Sequence, residues 1–367
     1  MSPSSSVISV PSVVKSPLFE NTSMLMKNLL IEFFVFLFRG KKRNASEKGC
    51  FLIVSTTGLG DTLWATPAIR NLRLKNPEAY IAVLTSPLGK QVLENNPHID
   101  EIFVFKKLWR LWRTLKKRAI ATVLIFHTSQ RAVLPFCALL GASRIVGTAG
   151  LSKGLDQLLT EVKPARPVHE IERRMEIADA LGSAMMELFP TSEDQNAIKL
   201  SGLNPLICIH PGAKDRFKQW PPSHFIAVAK ALQDHLGCQI CITGNAEEKP
   251  LVDSIARQIP GAKTFVGNLS ILQLAALMQK MDLVISNDTG PMHIACAMQV
   301  PVVALFTPTD ARLCGPYLYA RSKIIQKNIT CTPCIRKKCR EPFCLRQISV
   351  DEVTKAALEL FYSGTPR

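Results

Sequence analysis

The sequence has no run of about 18 apolar residues, the length a bilayer-crossing helix needs, so no membrane span is expected. The nearest stretch, Leu29 to Phe38, is short, carries Glu32 and is followed by Arg39, Lys41, Lys42 and Arg43. A signal peptide has its charge before the apolar run and small residues after it, so that reading is excluded too. Acidic residues are scarce: 29 Asp and Glu face 45 Lys and Arg, a formal net charge of +16. Such a surplus favours anionic partners, whether phosphorylated substrates, acidic lipid or nucleic acid. No nucleic-acid recognition module is visible, and nucleic acid is not expected as a partner. The P-loop lysine and the dinucleotide glycine spacing are both missing, which removes those two phosphate-binding fingerprints. Eleven cysteines lack the look of an extracellular disulfide framework. Cys50, Cys137, Cys208, Cys241 and Cys296 sit in apolar runs, as small core hydrophobes in a reducing compartment do.

What is present is a repeated alternation. From Cys50 onward, short continuous apolar runs alternate with helical periodicity: Cys50 to Ser55, Tyr80 to Thr85, Glu101 to Phe105 and Ala121 to Phe126 read as strands. Thr62 to Asn76 reads as one helix, with Pro67 in its first turns. Strands buried on both faces indicate a parallel sheet covered by helices. A more polar, helical stretch from Leu155 to Asn196, with Pro164, Pro167 and Pro190, marks a crossing. The pattern then restarts at Leu206 and runs through Val302 to Phe306. The expectation is two Rossmann-like, doubly wound parallel-sheet domains of the α/β class facing a central cleft. The boundaries expected are 1–48 for a flexible tail with a candidate membrane-surface helix, 49–190 for an acceptor-side domain, 200–348 for a donor-binding domain, and 349–367 for a C-terminal helix and tail.

Three loops carry the chemistry. Thr57-Gly-Leu-Gly-Asp follows a strand and opens a helix; Gly58 and Gly60 let backbone approach a ligand, and Asp61 stands at the helix start. A carboxylate there can take a proton from a substrate hydroxyl, and it can equally cap the helix. In the second loop, His210 to Trp220, Gly212 permits a tight turn, and Lys214, Arg216 and Lys218 can clamp phosphate oxygens or form a solvated basic loop. In the third, a buried strand ends in Ser286-Asn-Asp288, and Thr289 and Gly290 open a helix carrying His293. Free amides and the helix dipole at that start suit an anion such as pyrophosphate. His293 reads either as a ligand contact or as a core histidine hydrogen-bonded internally.

Taken together, Gly60-Asp61 with Thr66-Pro67, the Lys218-Gln-Trp-Pro loop, and Asp288-Thr-Gly-Pro-Met-His before Pro301-Val-Val-Ala-Leu-Phe-Thr-Pro-Thr resemble the family 9 glycosyltransferases. These include the ADP-heptose:lipopolysaccharide heptosyltransferases. The resemblance covers roughly residues 49–360, with its motifs in the family's order. It implies the GT-B fold, inversion at the anomeric carbon and no required cofactor or catalytic metal. By position it implies Asp61 as general base and Lys218 as the residue that neutralises the leaving diphosphate. Asp288, Thr289, Gly290 and His293 fall at the donor diphosphate and sugar, and Glu247 or Glu248 at the donor ribose. With Gly212, Ala213, Lys214 and Arg216 these complete the expected donor side. Ala213 and Lys214 stand where some heptosyltransferases have small hydroxyl residues, and Phe217 replaces a polar residue; the departure bears on the donor sugar more than on the reaction class.

The function expected is transfer of a sugar, a heptose from ADP-heptose being favoured, to a lipid-linked phosphorylated glycan of the lipopolysaccharide core. Work on the inner face of the cytoplasmic membrane follows from that. The alternatives are a non-catalytic sugar-nucleotide or glycan-binding protein, or a sugar-nucleotide epimerase on the same fold. The basic stretch Lys106 to Arg118, with Trp109 and Trp112, supplies Lys106, Lys107, Arg110 and Arg113 to the acceptor side along with Gly58 and Gly60, and faces phosphorylated acceptor or anionic membrane. Cys331-x2-Cys334-x4-Cys339-x4-Cys344 leaves open a structural zinc, a disulfide or free thiols.

Overall fold

The computed structural model describes residues 17–38, 49–200, 205–328, 331, 334, 339 and 343–363. The first half contains β1 (Cys50–Ser55), β2 (Tyr80–Thr85), β3 (Glu101–Val104), β4 (Thr122–His127), β5 (Arg144–Thr148) and β6 (Glu161–Lys163). Its helices are α1 (Pro17–Phe38), α2 (Leu59–Leu63), α3 (Thr66–Lys75), α4 (Pro87–Leu93), α5 (Leu108–Lys117), α6 (Val133–Ala138), α7 (Glu170–Ile177) and α8 (Ser192–Ala197). The second half has β7 (Leu206–His210), β8 (Gln239–Gly244), β9 (Lys263–Val266), β10 (Leu283–Asn287), β11 (Val302–Phe306) and β12 (Ser322–Gln326). With them come α9 (Pro222–Leu236), α10 (Lys249–Ala256), α11 (Ile271–Gln279), α12 (Gly290–Ala297), α13 (Ala311–Cys314), α14 (Phe343–Arg346) and α15 (Val350–Ser363).

Both sheets are six-stranded and parallel, ordered β3-β2-β1-β4-β5-β6 and β9-β8-β7-β10-β11-β12. The winding reverses between β1 and β4 in the first and between β7 and β10 in the second. Ligand crevices open at such reversal points, outside the carboxyl ends of the strands. The expected α/β architecture of two doubly wound sheets is what the chain adopts.

The helix read across Thr62 to Asn76 is two helices. Thr66 and Pro67 begin α3, and proline in a first turn has no amide to offer the preceding turn, so the chain breaks at Trp64–Ala65. Three strands had no apolar run to reveal them. β6 and β12 are edge strands, Glu-Val-Lys and Ser-Lys-Ile-Ile-Gln, without a fully buried residue, and Gly147 interrupts β5.

The halves are joined by packing as well as by the chain. One continuous buried cluster includes Leu63 and Ile69 from the first half with Leu272, Met278 and Met292 from the second. Here α2 lies against α12, and two glycines make the approach feasible. A methyl group on Gly60 would stand 3.1 Å from His293 Cδ2, and one on Gly290 would stand 2.9 Å from Leu59 Cδ2. At the other side of the junction the His169 ring stacks on Tyr317 at 4.3 Å, and Tyr317 donates its hydroxyl hydrogen to Glu172. On its outer side, α15 covers the second sheet, burying Val353, Ala357 and Leu360 beside Leu345 and Ile348.

Candidate active site

The three loops picked out in the sequence leave the carboxyl ends of β1, β7 and β10, the strands flanking the reversal points. They converge on one open crevice of about 310 Å³ lined by Gly60, Asp61, Trp64, Lys214, Asp215, Lys218, Asp288, Thr289, Gly290 and His293. Asp61 and Lys218, on different halves, therefore face the same space.

Asp61 is the third residue of α2. Its Oδ2 accepts the Gly58 amide at 3.4 Å, so the carboxylate does cap the helix start. Its Oδ1 points elsewhere: Arg174 Nη2 lies 3.4 Å away and His127 Nδ1 3.9 Å away. Arg174 has no exposed surface at all, and its Nη1 donates to the Glu170 carbonyl at 2.7 Å and to Glu170 Oε2 at 2.6 Å. Its guanidinium also lies over the Trp64 ring, 5.4 Å from the centroid. A fully buried guanidinium must be paired to be tolerated, and its partners here are Glu170 and Asp61. Arg174 fixes Asp61 from behind while a quarter of the carboxylate's surface stays open to the crevice. Burial lowers the pKa of His127 below the ordinary histidine value, so it stands neutral beside Asp61, its Nδ1 3.0 Å from Thr57 Oγ1.

On the opposite wall Lys218 ends a short 3₁₀ turn, Arg216–Lys218. Its ammonium donates to Asp288 Oδ2 at 2.5 Å, and the Thr309 hydroxyl donates to the same oxygen. Asn287 ties the two loops together. Its Nδ2 donates to the Pro211 carbonyl at 2.9 Å, and its Oδ1 accepts the Trp220 amide at 3.1 Å. Trp220 is buried and anchors the Lys218 loop by donating Nε1–H to the Ile348 carbonyl. The start of α12 has Thr289 as its cap residue, in extended conformation and with no side-chain cap hydrogen bond. Pro291 has no N–H and the Met292 amide donates to the Thr289 carbonyl at 3.1 Å, so of this first turn it is the Gly290 amide, at the crevice wall, that is left uncapped.

His293, on α12, is 3% exposed and packs edge-on against Trp64 at 4.9 Å. Burial pushes its pKa down to about 4, so the ring is neutral near pH 7. Its Nδ1 is buried without a hydrogen-bond partner, as is Trp64 Nε1. His293 is thus both buried and part of the crevice lining, with its Nδ1 unpartnered. Buried polar atoms are seldom left so unless a ligand or water meets them.

The remaining expected residues divide between those beside this centre and those that stand away from it. Gly212 lies under Glu248, whose Oε1 would be 2.1 Å from a methyl group there, and Glu248 Oε2 accepts the Asn245 amide at 2.9 Å. Ala213 is buried, while Arg216 and Glu247 are exposed outside the crevice lining. Gly58 caps α2. Lys106, Lys107, Arg110 and Arg113 are exposed at and along α5 and do not line the crevice. Among the described residues no three or more His, Cys, Asp or Glu side chains gather to hold a metal ion, so the zinc option for Cys331, Cys334, Cys339 and Cys344 has no assembled ligand set there.

Sequence reasoning missed Arg174, Glu170 and His127, and a small neighbouring pocket. That pocket, about 80 Å³, is lined by His127, Gln130, Arg131, Thr148 and Lys153 among others. Arg131 Nη2 and Thr148 Oγ1 in it are buried and unpartnered. A basic residue four positions beyond a strand end was the available signal for Arg131.

Residues 108–344 match the family described as glycosyltransferase family 9 (heptosyltransferase). The chain is 26% identical over 339 residues to lipopolysaccharide heptosyltransferase 3 of Escherichia coli K12, covering 84% of this chain and 96% of that protein. It is 23% identical over 310 residues to lipooligosaccharide heptosyltransferase 2 of Campylobacter jejuni, covering 83% and 96%. Among solved structures, that of the E. coli ADP-heptose lipopolysaccharide heptosyltransferase II superposes with a TM-score of 0.72 at 20% identity, covering 85% of this chain and 98% of that one, which shows a shared fold of the GT-B type.

Proposed function

The chain belongs to glycosyltransferase family 9, and from that membership and the crevice geometry we propose that it is an inverting heptosyltransferase of lipopolysaccharide core assembly. The single observation that carries the mechanism is that Asp61, Lys218, Thr289 and Gly290 line one space. The donor diphosphate lies on the uncapped start of α12, where amides and helix dipole favour negative charge. Lys218 exchanges its bond to Asp288 for a diphosphate oxygen. His293 Nδ1 and Trp64 Nε1 are then available to the donor's polar groups. Glu248 or Glu247 holds the ribose, with Gly212, Ala213, Lys214 and Arg216 completing the donor side.

The acceptor enters past Gly58 and Gly60. Asp61, held by Arg174, accepts the proton of its hydroxyl as that oxygen bonds to the anomeric carbon from the face opposite the diphosphate. The bond to the diphosphate breaks and its electron pair leaves with the nucleotide. Charge grows on the diphosphate as the reaction proceeds, so Lys218 and α12 stabilise the transition state more than the ground state. The pocket of Arg131 and Thr148, reached past His127, suits an anionic group on the acceptor.

ADP-heptose is the donor favoured by the relatives' names, and a lipid-linked phosphorylated glycan is the acceptor. The protein then works at the inner face of the cytoplasmic membrane, with an anionic membrane surface as its partner. Calorimetry with ADP-, UDP- and GDP-sugars, followed by nucleotide release with acceptor, tests the reading. Asp61→Ala should lower turnover by ~10²-fold or more and leave donor binding intact; unchanged turnover removes Asp61 from the mechanism.

A further inference from the structure

Helix α1 presents an unusual face. Asn28, Ile31 and Val35, spaced i, i+3 and i+7, turn inward: Asn28 Nδ2 donates to the Gly154 carbonyl at 3.0 Å, and Val35 is 3% exposed in the cluster that also holds Leu111 and Leu115 of α5 and Phe136 of α6. The outward positions are Met26, Leu29, Leu30, Phe33, Phe34, Phe36, Leu37 and Phe38, each between 53% and 80% exposed. A helix meeting water puts polar side chains there. Soluble monomers seldom leave such a contiguous apolar surface uncovered.

The same layer of the first half carries positive charge. Lys106 and Lys107 precede α5, and Arg110 and Arg113 stand exposed along it beside Trp109, which is 68% exposed and stacked on Trp112. In the sequence α1 is followed at once by Arg39, Lys41, Lys42 and Arg43. Apolar side chains flanked by lysine, arginine and tryptophan fit the boundary between acidic headgroups and acyl chains. Among the described residues no helix is long and apolar enough to cross a membrane. A second copy of this chain would bring like charge against like.

We infer that α1, with the basic face of α5, seats the protein on the surface of an anionic bilayer, α1 lying in the interface plane. The seat is coupled to the acceptor side through one loop. Gly154 receives the Asn28 hydrogen bond, and its neighbours Leu151, Ser152 and Lys153 line the pocket that reaches His127, beside Asp61. Seating α1 thus sets that pocket at the membrane surface, where a lipid-linked acceptor is delivered. This orientation rests on the acceptor reading proposed above; the seat itself does not.

The test uses the full chain and vesicles of phosphatidylcholine with or without one-quarter phosphatidylglycerol. Wild type should cosediment with the anionic vesicles, and the Phe33→Ser/Phe36→Ser/Leu37→Ser variant should bind them at least about tenfold more weakly. Transfer to a vesicle-embedded acceptor should fall in parallel, while transfer to a deacylated, water-soluble acceptor stays within about twofold, which also shows the variant to be folded. Wild type that ignores anionic vesicles, a variant that binds them as well as wild type, or an α1-dependent dimer without vesicle binding would overturn the inference. No transfer to the soluble acceptor by wild type would instead count against the proposed reaction, leaving the vesicle result to decide the seat.

Discussion

Removing the Lys218 ammonium is the sharpest probe of the crevice. The side chain is 21% exposed in an open site, so an effective dielectric of about 20 is appropriate, and a unit charge about 4 Å from the ammonium gains about 4 kcal/mol. Only part of a charge develops on the diphosphate between ground and transition state. A little over half of it gives about 2–3 kcal/mol, or roughly 30- to 160-fold in kcat. Lys218→Ala should show that fall in steady-state nucleotide release, with a smaller change in the donor KM, because the ammonium already touches the diphosphate in the bound ground state. Asp288 complicates the variant. Its carboxylate is 8% exposed and loses its ion-pair partner, though the Thr309 hydroxyl remains. A stability loss of about 1–3 kcal/mol is expected from stranding it. Lys218→Ala/Asp288→Asn should recover much of that stability without restoring turnover. If Lys218→Ala keeps kcat within threefold of wild type while remaining folded, transition-state stabilisation by this lysine is refuted.

Gly290→Val should destabilise the protein by about 1–3 kcal/mol through overpacking, since its first added carbon would meet Leu59 Cδ2 at 2.9 Å; a melting temperature equal to wild type would show that the two halves can separate there freely. The pH dependence follows from His169, His210 and His293, whose folded pKa values burial lowers to about 4 from 6.5. Between those values the unfolded chain takes up protons that the native one refuses, so stability is full above about 6.5 and declines as pH falls toward about 4. The urea midpoint should drop between pH 7 and pH 5 and His210→Gln should flatten the drop; a midpoint constant over that range refutes the assignment.

The three functional loops were legible because each follows an apolar run and carries glycine or charge where a strand yields to a helix. Parallel winding then obliges such loops to share an edge of their sheet. Lys218, Thr289 and Gly290, all on the second sheet, could be grouped in advance for that reason, while Asp61, on the first sheet, was joined to them by the family resemblance. Arg174 could not. It sits mid-helix in Glu-Ile-Glu-Arg-Arg-Met, where a charge run ordinarily marks a solvated face, and Arg173 beside it retains some exposure. Only the docking of α7 decides that Arg174 goes inward to meet a carboxylate 113 positions away. Thr309 and Asp288 are similarly joined only by the neighbouring paths of β10 and β11. The inward face of α1 rests on Asn28 among hydrophobic residues, a lone amide whose partner, Gly154, no local pattern announces.

The buried seam between α2 and α12 has a consequence for how this molecule breathes. Leu63, Met292 and their neighbours belong to one uninterrupted apolar mass, so swinging the two lobes apart would wet oil-like surface on both. The lobes are therefore splinted at that edge, and substrates must slip in along the outer lip of the slot. A splint of this kind also makes neither lobe an independent melting unit: heat should take both together.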